Sequence, residues 1–366
     1  MAATVLAIDE RCKAGVAAVA RPSDFVAHET GSMELSLVLD PTLSLYCIDP
    51  ARRSALFVRT PPELDLSSAP FLWQTQFTEA TEVVSVPFGE LHDLAVKAPV
   101  PSERLVLVQS TGRCGSTLVS HALAAGEGVV ALSEPDVYHQ LHQLRDRADP
   151  EFEALLKTCT TLLCAPRPAA TWAIKFRSFN IELAEPLLRC FPAAKTVFLY
   201  RGADSWARSV TRAFGIFEPQ SLESWHRFDE LVPRVRSSLD GPVLSPFPSP
   251  IEFMSWVWAT TMARATILLR QGVAMFITCY EDLGARPLEV LTALCEYCGV
   301  GTSPESLAAV VARDSQSGTE LSRARALEPG SELTVERLAA FRRRLAEIAP
   351  QLRPDQVLAG TYDPSR

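Results

Sequence analysis

The sequence predicts an α/β fold in which a central parallel β-sheet is flanked by helices and preceded by a small, mostly β N-terminal extension. Three observations point there. Beyond about residue 100, short apolar runs of strand length alternate with helical patterns, as in Leu105–Val108, Val129–Leu132 and Val197–Tyr200. A polar loop with two glycines, Gln109 to Thr117, joins the first of these runs to a helical pattern in which Leu118, Ala122 and Leu123 share a face. Before residue 100, short apolar runs are instead split by Asp-Pro and Pro-Pro turn signals.

In chain order, Leu35–Leu39, Leu43–Ile48 and Ala55–Val58 read as strands of the extension, broken at Asp40-Pro41, Asp49-Pro50 and Pro61-Pro62. Phe71, Leu72, Trp73 and Phe77 suggest a short amphipathic helix. Val83–Val86 is a further strand, and a second helix begins near Phe88. Lys97–Glu103, with two prolines, marks a boundary. Residues 1–100 are therefore expected to form the extension, a candidate wall for a substrate, and residues 101–366 the main α/β domain.

The strand, glycine loop and helix at Leu105–Leu123 form a phosphate cradle. A helix N-terminus presents unpaired N–H groups and the positive end of its dipole, and glycines let backbone approach an anion closely. The nucleotide-hydrolysing P-loop reads G-x-x-x-x-G-K-[ST]. Here Gly115, Ser116 and Thr117 fill the last three places, so serine stands where the lysine would be, and Ser110 replaces the first glycine. The cation comes two residues before the glycine, as Arg113. The shift implies a phosphate-bearing ligand handled without metal–nucleotide chemistry.

This S-T-G-R-C-G-S-T stretch (110–117) resembles the 5′-phosphosulfate loop of the sulfotransferases that use 3′-phosphoadenosine 5′-phosphosulfate (PAPS), roughly [KR]-[SC]-G-[ST]-T. The resemblance implies a P-loop-type sheet with PAPS as cofactor and no metal. It implies cofactor contacts from Arg113, Cys114, Gly115, Ser116 and Thr117, with Arg113 near the transferred sulfonate. A second segment, KTVFLYRGADSWARS, is similar to the family's 3′-phosphate motif: an apolar strand, Arg201 at its end, and Ser209 eight residues later on a helix capped by Asp204 or Ser205. Arginine supplies bidentate donors to a phosphate and serine a neutral one. Tyr280–Leu283 (Y-E-D-L), with Pro287 opening the final helix, resembles the segment after the family's last core strand. Its acids are read as capping and tying the turn.

Elsewhere the sequence departs from the family. The TWAIKFRSF strand ends with Lys175, in the place of a sulfonate-contacting lysine, but Arg177 stands where a catalytic histidine is common, and arginine is no base at physiological pH. The R-K-G and G-x-x-G-x-W-K region of the cytosolic enzymes is absent, with Arg323 or Arg325 as stand-ins for its phosphate contacts. The match runs from Leu105 to about Val300. Glu134, just past Val129–Leu132 and Ser133, is read as the general base, because it follows a strand at whose carboxyl end ligands of open α/β sheets collect and because the resemblance extends to bacterial sulfotransferases that use a glutamate in the segment after the cradle. Asp136, His139 and His142 remain candidates. Arg113 and Lys175 form the electrostatic pair acting beside Glu134.

The rest bounds the function. The chain has 366 residues, 47% hydrophobic and 21% charged, with formal net charge −8. That balance disfavours nucleic acid as a partner. No stretch approaches 18 consecutive apolar residues, and Asp9, Glu10 and Arg11 break the N-terminal run, so no membrane anchor or signal is expected. Nine cysteines without a signal read as reduced thiols in a cytoplasmic protein, and Cys295 with Cys298 as core packing inside a helix. Glu151–Leu163 lies in a mainly helical stretch, Ile251–Gly272 is read as a strongly amphipathic helix, and Thr334–Ile348, with Arg342, Arg343 and Arg344, as a helix with a solvated face. The proline-rich stretch around 211–250 is read as a lid, substrate wall or surface insertion. The expected activity is sulfonate transfer from PAPS to a hydroxyl or amine of a small-molecule acceptor. The alternatives are a metal-dependent P-loop nucleotide kinase, against which the arginine ending Val197–Tyr200 argues, and a catalytically inactive nucleotide-binding protein.

Overall fold

The computed structural model describes residues 2–13, 19–146, 148–218, 249–315 and 329–364. The proline-rich residues 219–248, Arg323 and Arg325, and most of the polar stretch 314–322 lie outside them. The chain divides into two compact units: Met1–Val106 with Gly128–Ile174 and Leu183–Ala194, and Leu107–Glu127 with Lys175–Glu182 and Lys195–Arg366.

The first unit opens with an antiparallel sheet in the order β2-β1-β5-β4-β3, built from β1 (Ala2–Arg11), β2 (Phe25–Glu34), β3 (Leu43–Asp49), β4 (Ser54–Arg59) and β5 (Glu82–Pro87). Strands β3 and β4 are buried almost throughout, as their unbroken apolar runs require. Strands β1 and β2 are mostly part-exposed or exposed, and their polar residues hide them from a reading based on apolar runs. Leu35–Leu39, expected as a strand, is a 3₁₀ helix. Leu35 and Val38 are buried three residues apart while Leu37 is 51% exposed, a spacing of three that an alternating strand cannot bury. Helices α1 (Leu72–Glu79) and α2 (Phe88–Lys97) follow on either side of β5. In this unit the buried Lys13 ammonium sits 4.7 Å from the Trp73 ring centroid, with the Phe77 and Tyr46 rings beside it, and 3.7 Å from the Asp24 carboxylate.

A five-stranded parallel sheet comes next, in the order β10-β9-β6-β8-β7, from β6 (Leu105–Ser110), β7 (Val129–Ser133), β8 (Thr171–Lys175), β9 (Lys195–Tyr200) and β10 (Met275–Cys279). Strand β6 is central and buried at every residue. Its helices are α3 (Ser116–Ala124), α4 (Val137–Asp146), α5 (Phe152–Cys164), α6 (Ala184–Cys190), α7 (Ala203–Phe214), α8 (Pro250–Arg270), α9 (Tyr280–Ala285), α10 (Pro287–Cys298), α11 (Pro304–Ala312) and α12 (Val335–Ile348). Edge strand β10 is partly covered by the C-terminal segment, through a parallel bridge from Ile277 to Thr361. No helix among the described residues is long and apolar enough to cross a membrane.

Several expectations change. Helix α7 is capped by Gly202, not by Asp204 or Ser205, because both side chains are engaged elsewhere: Asp204 accepts from Arg342, and Ser205 donates to Glu281. Helix α8 is buried continuously from Glu252 to Ala265, so it is a core helix with no polar face there. Y-E-D-L is itself helical, as the start of α9, and Pro287 opens α10, which two more helices follow. Cys295 and Cys298 are buried on α10, and burial pushes the Cys298 thiol up to about 12.

The arginines of α12 do more than face solvent. Arg344 grips Glu252 with two hydrogen bonds of 2.6 Å, and Trp256 adds one of 2.8 Å to the same carboxylate. Burial alone would raise the Glu252 carboxyl, but the hydrogen bonds from Arg344 and Trp256 outweigh it and hold it below its ordinary value. Arg344 is partly exposed, so screening keeps this pair well short of a fully buried one, and Glu252→Ala is expected to cost about 1–2 kcal/mol. With the folded carboxyl lowered, that contribution is complete above the unfolded carboxylate pKa and is lost as pH falls through the folded value. Thermal melts of wild type and Glu252→Ala should therefore differ near neutral pH and converge as pH falls below the ordinary carboxylate range; a constant difference would remove the pair as the cause.

Candidate active site

The cradle belongs to the second unit and is built by backbone conformation first. After β6 the chain turns through Gly112 (φ +72°), Arg113 (φ +50°) and Gly115 (φ +85°), the last of which is the N-cap of α3. Left-handed turns at such short spacing reverse the chain within five residues and leave the α3 N-terminal amides at the carboxyl end of the sheet. Gly115 is required twice over. Its φ disfavours any side chain, and a Cβ there would stand 2.7 Å from Cδ2 of Leu283, which is itself buried.

Strand β9 and the first turns of α7 hold this turn in place. Thr111 N donates to the Leu199 carbonyl at 3.0 Å, and Trp206 Nε1 donates to the Thr111 carbonyl at 2.9 Å. Cys114 Sγ contacts Leu199 O at 3.5 Å. The Cys114 thiol is fully buried, and that burial raises its pKa, so it packs the turn as a thiol rather than presenting a thiolate. Arg201 Nη1 donates to the Arg113 carbonyl at 3.1 Å.

The charged side chains gather around the same turn. Lys175, buried at the end of β8, donates to Thr117 Oγ1 at 3.3 Å. Arg113, half-buried, reaches Ser209 Oγ with Nε at 3.4 Å. Arg201, also half-buried, donates from Nε to Ser205 Oγ at 3.0 Å and lies over the Tyr280 ring, 3.8 Å from its centroid. Thus Arg113, Cys114, Gly115, Ser116, Thr117, Lys175, Arg201 and Ser209 share one neighbourhood. Ser209 contacts Arg113, and Arg113 in turn links it to Arg201. Three cations and three hydroxyls beside a helix N-terminus make a donor set suited to phosphate groups.

Glu134 lies in the first unit. It follows β7, is partly exposed, and holds φ at +58°, a conformation that a non-glycine residue adopts only at a cost. Its neighbours are fixed: Ser133 Oγ donates to the Pro70 carbonyl at 2.5 Å, and Asp136 accepts from Ala20 N at 2.9 Å. Asp136 is buried in that structural task, and His139 and His142 are fully buried on α4.

The sequence reading missed Tyr280, Glu281, Ser205, Trp206 and Leu283 as parts of this site. For the first two, strand pairing supplies the reason. Strands β9 and β10 are parallel neighbours with Tyr200 opposite Cys279, so the residues that come after each strand emerge side by side.

No protein-family model matches the sequence, and no curated protein matches it. Among solved structures, the chain is similar to sulfotransferase STF9 from Mycobacterium avium, at 16% identity over 70% of this chain and 79% of that one, with a TM-score of 0.42. It is also similar to a sulfotransferase from Alicyclobacillus acidocaldarius, at 15% identity over 68% and 95% with a TM-score of 0.37. A third is mouse sulfotransferase SULT7A1 complexed with PAP, at 15% over 70% and 80% with a TM-score of 0.34.

Gly115→Ala is expected to destabilise the protein by about 1–3 kcal/mol through its φ and the Leu283 contact. It should also weaken binding of an anionic nucleotide, read by thermal melts and calorimetric titration. An unchanged melting temperature would mean that the turn does not need glycine.

Proposed function

We propose that the chain is a sulfotransferase that moves a sulfonate from PAPS to a hydroxyl or amine of a small-molecule acceptor. The observation that carries the reading is the gathering of Arg113, Lys175 and Arg201 with Ser116, Thr117 and Ser209 around the N-terminus of α3. This donor set is cationic and hydroxylic, which fits a ligand bearing several phosphate oxygens.

In this reading the α3 amides, Ser116 and Thr117 bind the 5′-phosphate, with Gly115 and the buried Cys114 shaping the turn beneath it. Arg201 and Ser209 take the 3′-phosphate. When bound, PAPS supplies a sulfonate already joined to a phosphate that leaves readily. Arg113 and Lys175 stabilise the negative charge that grows on the departing oxygen, as preorganised cations at a site of developing charge. Glu134 accepts the proton from the acceptor's hydroxyl or amine, and its strained backbone is what a residue held for function often shows. No metal takes part, and Arg177 has no proton-accepting role.

Calorimetric titration with adenosine 3′,5′-bisphosphate, compared with ATP plus magnesium, tests the cofactor class. The bisphosphate should bind preferentially, and Arg201→Ala should weaken it about 10- to 100-fold, the range for losing charge-assisted hydrogen bonds. Preference for ATP with magnesium would replace this reading with the kinase. For the base, Glu134→Gln should leave bisphosphate affinity unchanged and slow sulfonate transfer by about 10²- to 10⁴-fold. Normal turnover in that variant would move the role to another residue.

A further inference from the structure

Tyr280 and Glu281 have no part in the proposed transfer step, yet both bear on Arg201. The guanidinium carbon of Arg201 lies 3.8 Å from the Tyr280 ring centroid, well within cation–π range. Ser205 Oγ accepts from Arg201 Nε at 3.0 Å and donates to Glu281 Oε1 at 2.6 Å. The Ser205 proton has two acceptors, Glu281 Oε1 and the Gly202 carbonyl at 3.1 Å, and the shorter contact to the carboxylate oxygen draws it to Glu281 and turns a serine lone pair toward the arginine. Arg201 Nη1 meets the Arg113 carbonyl at 3.1 Å. Among the described residues, no carboxylate lies within ion-pair distance of Arg201, so Glu281 acts on it only through the hydroxyl.

We propose that Tyr280 and Glu281 are positioning residues for Arg201. The Tyr280 ring sets the plane of the guanidinium, and Glu281, through Ser205, sets its rotation within that plane, so that the remaining N–H groups present a fixed face to a phosphate on the ribose of a nucleotide. A long arginine side chain otherwise loses rotamer freedom when it binds, and bracing removes that loss beforehand. The site's preference for a ribose 3′-phosphate then depends on residues that need not touch the phosphate. This inference rests on the sulfotransferase reading of the site.

The test is the ratio of the dissociation constants for adenosine 5′-phosphate and adenosine 3′,5′-bisphosphate. It is measured by calorimetry for wild type, Glu281→Ala, Glu281→Gln, Tyr280→Leu and Tyr280→Phe, each alone and combined with Arg201→Ala. Glu281→Ala and Tyr280→Leu should each shrink the ratio about five- to tenfold, weakening the bisphosphate more than adenosine 5′-phosphate. Tyr280→Phe, which keeps the ring, and Glu281→Gln, which keeps an acceptor for Ser205, should restore most of it. None should act further once Arg201 is alanine. Equal losses for both ligands, an unchanged ratio, or full effects in the Arg201→Ala background would overturn the positioning role. If Tyr280→Leu does not fold, Glu281→Ala decides, because Glu281 is exposed. A wild-type protein with no preference for the bisphosphate would instead overturn the functional reading, and the inference with it.

Discussion

The backbone between Ser110 and Ser116 must reverse direction in a few residues to bring the N-terminus of α3 to the carboxyl end of the sheet. Left-handed conformations at Gly112, Arg113 and Gly115 meet that constraint, and each carries a conformational cost outside glycine. The surroundings hold the turn against that cost. The Leu199 carbonyl receives the Thr111 amide, the Trp206 indole reaches the Thr111 carbonyl, and Arg201 reaches the Arg113 carbonyl. The cradle and the strand-end arginine are therefore one object. The residue that offers charge to a ligand also fastens the loop that offers amides.

The charge distribution reflects how the cations are employed. The chain is acidic as a whole, with a net charge of −8. Away from the cradle, several arginines are matched directly with carboxylates, as Arg342 is with Asp204, Arg344 with Glu252 and Arg53 with Glu151. At the cradle, Arg201 is held by a ring, a hydroxyl and a carbonyl instead. Those partners orient a guanidinium without cancelling its charge, which leaves it able to attract an anion. Burial of Lys175 beside Thr117 adds a second cation whose hydration is already reduced.

Much of the α/β part was legible because its signals are local. Strand β6, the loop and α3 are contiguous, and an apolar run followed by a glycine loop and a helical pattern has few other physical meanings. The same locality explains α1, β5 and α2. Reading failed where a residue's role depends on spacing or on partners. Leu35–Leu39 is as apolar as a strand, but its buried residues recur every third position. Helix α8 reads as amphipathic because it contains polar residues, yet Glu252 and Arg264 are both buried. Arg342 and Arg344 of α12 read as part of a solvated face until Asp204 and Glu252, distant in sequence, are brought to them.

By itself, the sequence determined β6, its glycine loop and α3, and the strands β7 to β10 in order, since each depends on a local apolar run and the residues that flank it. The resemblance of a second segment pointed to Arg201 and Ser209, and the structure brings both to Arg113 in that loop. Tertiary structure alone decided which groups aim those donors. Tyr280 meets Arg201 because β9 and β10 lie parallel in matching register, and Leu283 comes within a methyl's reach of Gly115 because α9 packs at that end of the sheet. Such contacts join residues some 80 to 170 positions apart, and no local pattern encodes them: they arise when the strands pair and the helices bury their apolar faces against the sheet.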